Sequence, residues 1–466
     1  MLLQVNASPE SSTATSTGPL RFQDVQNSYD DGECDEAGKG SSPSITSISL
    51  FSPVVDPALF DIPAAQKTLV RYYTECASDL LINLEIANNP LRTLILPRAW
   101  SSRSLFNAVC AVAAAHWSNT ARQAQTPAIP PASAQLYYHR ALAGLRRSLD
   151  AIPRAAADDG KQQLVPTDAI LTTAMLCKYE IISGSTQHWM PHLDGLRNMI
   201  TQRGGLQTLE PDVRDFLHGL YGYHHTLSRL ANLRSGVRKA PRDVVPATGN
   251  LHVDVYFGLT EQIGQLCCRI WELAQSVPVA VADIDVLQVE VNSINAELTS
   301  WTCPTTGREV PPWVSAEAFV RLEKVAKGFR YAAFVYLHSV LTYVALKSPG
   351  VGAAAHVRAL HDTITYTKDH AVARIVEIVR TCLPLAHCEY SALCFALFCA
   401  GVETESGDDR LFVLHCIGKL EAAFGIGNTT VLKKLIRHIW KLKVVDGVTR
   451  HWQFAMEELG WQLCLT

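Results

Sequence analysis

An all-α fold of many helices, preceded by a disordered N-terminal tail, is what this sequence predicts, on three observations. Apolar residues recur at helical spacing through most of the chain, and period-two alternation is rare. Segments rich in Pro, Gly and polar residues cut the periodic stretches into helix-sized lengths. The first fifty residues differ in composition from everything after them.

The tail comes first. Residues 1–50 are rich in Ser, Thr, Gly and Asp, and Arg21 and Lys39 stand against seven acidic residues, for a net charge of −5. Such a segment buries too little apolar surface to offset its ordering entropy, so it is expected to be disordered. The whole chain of 466 residues carries a formal charge of −3, which leaves +2 for the body. A body so close to neutral has no global field with which to hold a polyanion. At the N-terminus MLLQV passes straight into NASPESSTATSTG, without the basic and apolar regions of a signal peptide. Nearly charge-free apolar runs such as Leu105 to Trp117 and Tyr390 to Val402 are shorter than the ~18 to 20 residues that cross a bilayer. The expectation is an intracellular chain with no membrane partner. Thirteen cysteines, mostly inside apolar stretches such as those around Cys110, Cys177, Cys394 and Cys399, read as reduced, buried thiols.

In the body, from Phe51 on, Leu69, Tyr73, Cys76, Leu80 and Leu84 step by three and four and predict one apolar stripe on a helix. Leu136 to Leu149, Ala169 to Ile182 and Phe329 to Val344 repeat the pattern. Breakers fall at 125–134, 151–167, 234–250, 299–313, 346–351 and 402–409, leaving room for about a dozen helices. No period of about 20 to 50 residues marks a repeat array. The body is therefore read as one helical domain over 51–466, and the basic loop 234–250 is where it would divide if it did.

Candidate chemistry is sparse. His188 and His192 in HWMPH have the i, i+4 spacing of a metal pair, but no Glu follows His188 and no third ligand stands nearby. They are read as packed or capping histidines. Cys382, Cys388, Cys394 and Cys399 lack the close C-x2-C pairs that grip zinc, and are read as structural. GIGN at 425–428 lies between two helices, the wrong context for a dinucleotide cradle, and is expected to end one helix and begin the next with Asn428 or Thr429 as N-cap. The paired carboxylates Asp158 and Asp159, and Asp408 and Asp409, are expected in solvated loops. There is no G-x-S-x-G elbow and no P-loop. Val431 to Lys443 places Lys433, Lys434, Arg437, Lys441 and Lys443 opposite Leu432, Leu435, Ile436, Ile439 and Leu442. That is a surface helix with a basic face. No catalytic, cofactor-binding or metal-ligating residue is assigned, and no cofactor is expected.

The order of blocks carries more. LVRYYTECASDLL at 69–81, NNPLRTLILPRAW at 88–100 and SLFNAVCAVAAAHW at 104–117 come first, followed by YYHRALAGLRRSL at 137–149 and DAILTTAMLCKYEIISG at 168–184. HWMPHLDGLRNMITQRGG at 188–205 is the most specific block, with Trp189, His192, Leu193, Gly195, Arg203, Gly204 and Gly205. CFALFCAGVE at 394–403 and HWQFAMEELGWQLCL at 451–465 close the series. Together they resemble the helical regulatory region of fungal zinc-cluster transcription factors, the second of its two common types, over almost all of 60–465. Read physically, the block residues are structural. Trp189, Leu193 and Leu196 form a packing stripe, Gly195 allows close helix approach, Gly204 and Gly205 end a helix at positive φ, and Trp452, Met456 and Leu459 share an apolar face.

The resemblance implies a transcriptional regulator in a fungal nucleus, with control of a specialised-metabolite gene cluster as an extension. It implies partners among other transcription factors or the transcriptional machinery, homo- or heterodimers, and a small-molecule effector. One departure stands out: the six-cysteine zinc module that usually opens such proteins is not found, since only Cys34 precedes Phe51. Sequence-specific DNA binding by this chain alone is therefore not expected. Three readings of the departure stay open: a partner supplies the DNA contacts, an upstream module is missing from the sequence, or the domain serves another use. The rival functions are a non-DNA-binding interaction or effector-sensing protein that pairs with an intact factor, and an enzyme working in an interhelical cavity.

Overall fold

The computed structural model describes residues 62–124, 131–151, 164–233, 253–303, 311–348, 351–446 and 451–465. The chain divides into two units, Met1–Val55 and Asp56–Thr466, and the second holds all of the described residues. The predicted tail and the 234–250 loop lie outside them, as do Asp158 and Asp159.

The fold is all-α. Among the described residues no strand forms, and one isolated bridge joins Asp254 to Gly258. The helices of eight residues or more begin with α1 (Ala64–Tyr72), α2 (Arg103–Ala124), α3 (Pro131–Asp150), α4 (Thr167–Ser183) and α5 (Trp189–Arg203). Next come α6 (Pro211–Ala231), α7 (Glu261–Gln275), α8 (Ile284–Ser300), α9 (Ala316–Lys347) and α10 (Val351–Ala359). The last are α11 (Lys368–Arg380), α12 (Cys394–Glu403), α13 (Gly407–Phe424), α14 (Gly427–Asp446) and α15 (Trp452–Leu459). The boundaries follow the breakers: α9 stops before Ser348 and Pro349, and α12 and α13 are parted by Thr404–Ser406.

Two helices are central. Every side chain of α4 from Ala169 to Ile182 is buried, so it is wrapped on all sides, by α2, α3 and α5 among others, instead of presenting a stripe. In the second half the long α9 packs against α7, α11 and α12, with Val320 and Leu346 exposed near its ends. This helix is long and apolar enough to cross a membrane by length and composition, though the sequence reading expected none, and its longest uncharged run, Tyr331 to Leu346, is 16 residues against the ~18 to 20 that cross a bilayer. Most of that window, 78%, is buried inside the protein. One apolar core runs through both halves, from Leu69 to Leu465.

The opening stripe is corrected by backbone geometry. After α1 the chain widens into a π-turn at Tyr73–Ala77 before one more turn at Ser78–Leu80. The wider turn moves the buried face to Leu69, Tyr73, Ala77 and Leu81, and leaves Cys76 and Leu80 half-buried. The expected ending at Gly204 and Gly205 holds: both have positive φ, 101° and 95°, and the amide of Gly205 closes on the Ile200 carbonyl at 2.9 Å. Gly195 is not a close-packing glycine. A Cβ there would meet only the Thr173 methyl at 3.8 Å, an ordinary contact.

After α15 the chain runs extended into the core, and Leu463, Cys464 and Leu465 are buried. Side chains far away in sequence hold this strap. Trp189 Nε1 donates to the Gln462 carbonyl at 3.1 Å, Asn232 Nδ2 to that of Leu463 at 2.8 Å and Asn428 Nδ2 to that of Cys464 at 2.9 Å. Asn428 is thus no N-cap. The strap captures its side chain, while Thr429 Oγ1 donates back to Ile426.

Candidate functional site

The most specific block of the sequence lines a surface cleft of about 910 Å³ between α3, α4 and the start of α5. Its wall is Tyr138 stacked on Tyr179, ring centroids 4.6 Å apart at 24°. The two rings meet because Tyr138 and Tyr179 sit on the facing sides of α3 and α4, which pack along their length. Tyr138 Oη lies 3.0 Å from His192 Nε2, with the imidazole edge-on to the phenol. Buried Glu180 and exposed His139 and His188 complete the polar rim.

Burial holds His192 down to about 4, and His188 beside it adds to the effect, so its ring is neutral at physiological pH. Burial also raises the Tyr138 phenol, helped by the Glu180 carboxylate. The cleft therefore offers a flat aromatic face with Tyr138 and His192 as neutral hydrogen-bonding groups along one edge and Glu180 and Arg146 on its rim, suited to a flat organic molecule with polar substituents. It is not suited to a metal. His188 caps α5 through its backbone, donating to Ser185 Oγ at 2.9 Å, while His192 turns to Tyr138, so the i, i+4 pair does not converge. Among the described residues no group of three or more His, Cys, Asp or Glu could hold an ion.

The other candidates resolve into packing. Cys382, Cys388, Cys394 and Cys399 are all buried, and burial raises each thiol, that of Cys394 to about 12. Gly425 ends α13 at φ 59°, and Gly427 abuts the Ile182 carbonyl and the Gly184 amide, so GIGN is a crossing between helices. Asp408 and Asp409 lie in the first turn of α13, not in a loop, where their charge favours the helix N-terminus. In α14, Lys433 is spent on an ion pair with Glu421. Lys434, Arg437 and Lys441 stay exposed, and the Lys443 side chain lies outside the described residues. Trp440 is half-buried and donates to the Gly401 carbonyl at 2.9 Å.

One cluster invisible in the sequence brings Ser, His and a carboxylate together. Ser339 Oγ donates to Glu403 Oε1 at 2.6 Å and lies 3.0 Å from His451 Nε2. The proton order is wrong for a nucleophile. His451 Nδ1 accepts from the Gln453 amide, so Nε2 carries the hydrogen and donates toward Ser339, while Trp452 Nε1 donates to the same hydroxyl at 3.0 Å. Ser339 is 3% exposed, which closes it to substrate. The arrangement locks α15 to α9.

The chain matches the fungal specific transcription factor domain over residues 68–466. It belongs to that family. No curated protein and no solved structure matches it. The family is one of transcription factors, not of enzymes, and the resemblance read from the blocks between 69 and 465 covers the same stretch. The Tyr138–Tyr179 wall is what sequence reading missed, although Tyr137, Tyr138 and Tyr179 stand inside two of the quoted blocks.

Proposed function

We propose that this chain regulates transcription from within the fungal nucleus, bearing on the genes of a specialised-metabolite cluster, and that its DNA contacts come from a partner transcription factor. The family match over 68–466 carries the reading. A net charge of only +2 on the residues after the tail supports the need for a partner. Deleting the gene and sequencing the transcriptome tests it: expression should change in one co-regulated cluster, and a fluorescent fusion should concentrate in nuclei. A cytoplasmic fusion with an unchanged transcriptome would sink the proposal. In footprinting, the purified full chain should leave a defined promoter unprotected at physiological salt until the partner is added.

The Tyr138–Tyr179 cleft favours a second element of this reading, control by a small flat effector. Tyr138→Ala should leave nuclear protein levels near normal and uncouple transcription from the inducing condition. Induction that survives unchanged would remove the cleft from the mechanism.

A further inference from the structure

Between Ile86 and Leu149 the sequence contains no Asp or Glu, yet it contains seven arginines and no lysine. In a chain of net charge −3 this is a pronounced local asymmetry. Arg92 pairs with Asp79 at 2.8 Å. Elsewhere among the described residues some arginines find carboxylates, Arg269 holding Glu290 and Glu297 and Arg321 holding Glu85 and Glu389, while others such as Arg437 do not. Arg103, Arg140 and Arg147 make no ion pair among the described residues, and all three are exposed.

These three surround one groove of about 980 Å³, and among the described residues no carboxylate lines it. Arg103 stands in the first turn of α2. Arg140 and Arg147 are seven residues apart on α3, two turns along one face, or roughly 10 Å. The groove exists because the two helices cross closely. A Cβ on Gly144 would meet Ser104 Cβ at 3.0 Å, so the glycine lets α3 descend onto α2 and leaves the guanidiniums standing around the crossing. Half-buried Trp100 and Ile62 supply apolar surface along the groove, and Ser101 and Asn107 add hydrogen-bonding groups.

We propose that this groove is the docking site for an acidic, hydrophobic-interrupted segment of a partner protein. A guanidinium fork matches a carboxylate or a phosphate bidentately, which a lysine ammonium does not, so a set built only of arginine suits such oxyanions. Trp100 and Ile62 would take the bulky apolar residues between the acids, the composition of amphipathic disordered activation segments. A nucleic acid is the poorer fit. Its backbone presents phosphates with no apolar side chains for that surface. The site is separate from the Tyr138–Tyr179 cleft and stands whether or not an effector binds there.

The test uses the full chain and three fluorescent probes at physiological salt: a short peptide alternating Asp or Glu with Leu or Phe, its Asn and Gln counterpart, and a random-sequence DNA duplex. The acidic peptide should bind more tightly than either of the others, and affinity should fall as salt rises. The triple variant R103E/R140E/R147E should weaken the acidic peptide by about tenfold or more with an unchanged melting temperature, since exposed side chains contribute little to folding. Arg437→Glu on α14 should change nothing. Equal binding of the neutral peptide overturns the proposal, as does a triple variant that binds like the parent. A duplex that binds more tightly than the peptide, and depends on the same arginines, reassigns the groove to nucleic acid. Binding that appears only after residues 1–50 are removed reassigns it to the chain's own acidic segment.

Discussion

The strap seam around Trp189 and the arginine groove on α2 and α3 treat polar groups in opposite ways. At the seam Trp189 is fully buried, and its indole N–H, like the Asn232 and Asn428 amides, ends on a backbone carbonyl of the strap. At the groove three guanidiniums stand exposed with no carboxylate among the described residues. The seam pairs these donors within the chain, although the buried Asn428 Oδ1 finds no partner, so its residues report on stability. The groove leaves its charge for something outside the chain, so its residues should report on binding and leave the melting temperature alone.

The largest effect tests the seam. Trp189→Ala removes a fully buried indole and leaves the Gln462 carbonyl without its donor, so it should cost about 3 to 5 kcal/mol and appear as a much lower melting temperature and reduced cellular abundance. If the variant melts normally and yet loses regulation, the block from His188 to Gly205 is a functional surface and the contrast collapses.

Acid should act next, through histidines that burial keeps neutral. Burial lowers His116 and His451 to about 4, below the ordinary value of 6.5 that each regains on unfolding. Between those values the unfolded chain binds more protons, so stability is complete above about pH 6.5 and declines as pH falls toward 4. Each of the two should cost about 1 kcal/mol by pH 5.5. Melting curves from pH 7 to pH 5 would show it; a flat profile would mean that neither ring stays neutral in the fold.

Two glycines sharpen the comparison within the core. Gly427→Ala drives a methyl to 2.5 Å from the Ile182 carbonyl oxygen, where only backbone could yield, and should destabilise by about 1 to 3 kcal/mol. Gly195→Ala, with 3.8 Å of clearance on a helix, should be neutral or stabilise by about 0.5 kcal/mol through helix propensity. Chemical denaturation of the pair checks both. A destabilised Gly195→Ala would restore the close-packing role that its place in the block first implied.

Much of the helical skeleton was legible because helix formation is local. The runs ending at Leu149, Ile182 and Val344 fall within α3, α4 and α9, and the breakers fall near most helix ends. Where local geometry departed from the regular turn, the reading slipped. The π-turn at Tyr73–Ala77 moved the buried face off Cys76 and Leu80, because a widened turn leaves no mark in apolar spacing. Of the cleft, His188 and His192 were visible as a pair, but their divergence was not, because it depends on Tyr138 arriving from α3 to take one of them.

By itself, then, the sequence determined an all-helical chain of this family and a stretch of arginines with no acid among them. Tertiary structure alone decided which distant groups meet. Asn232 and Leu463 lie 231 residues apart, as do no two partners in a single helix, and their hydrogen bond exists only once the strap is threaded. The arginines likewise become a concave site only where Gly144 lets α3 settle on Ser104. Composition and periodicity record what each segment prefers alone, whereas a seam or a groove arises from the approach of two segments, and the energy that selects that approach is spread over the whole packed core.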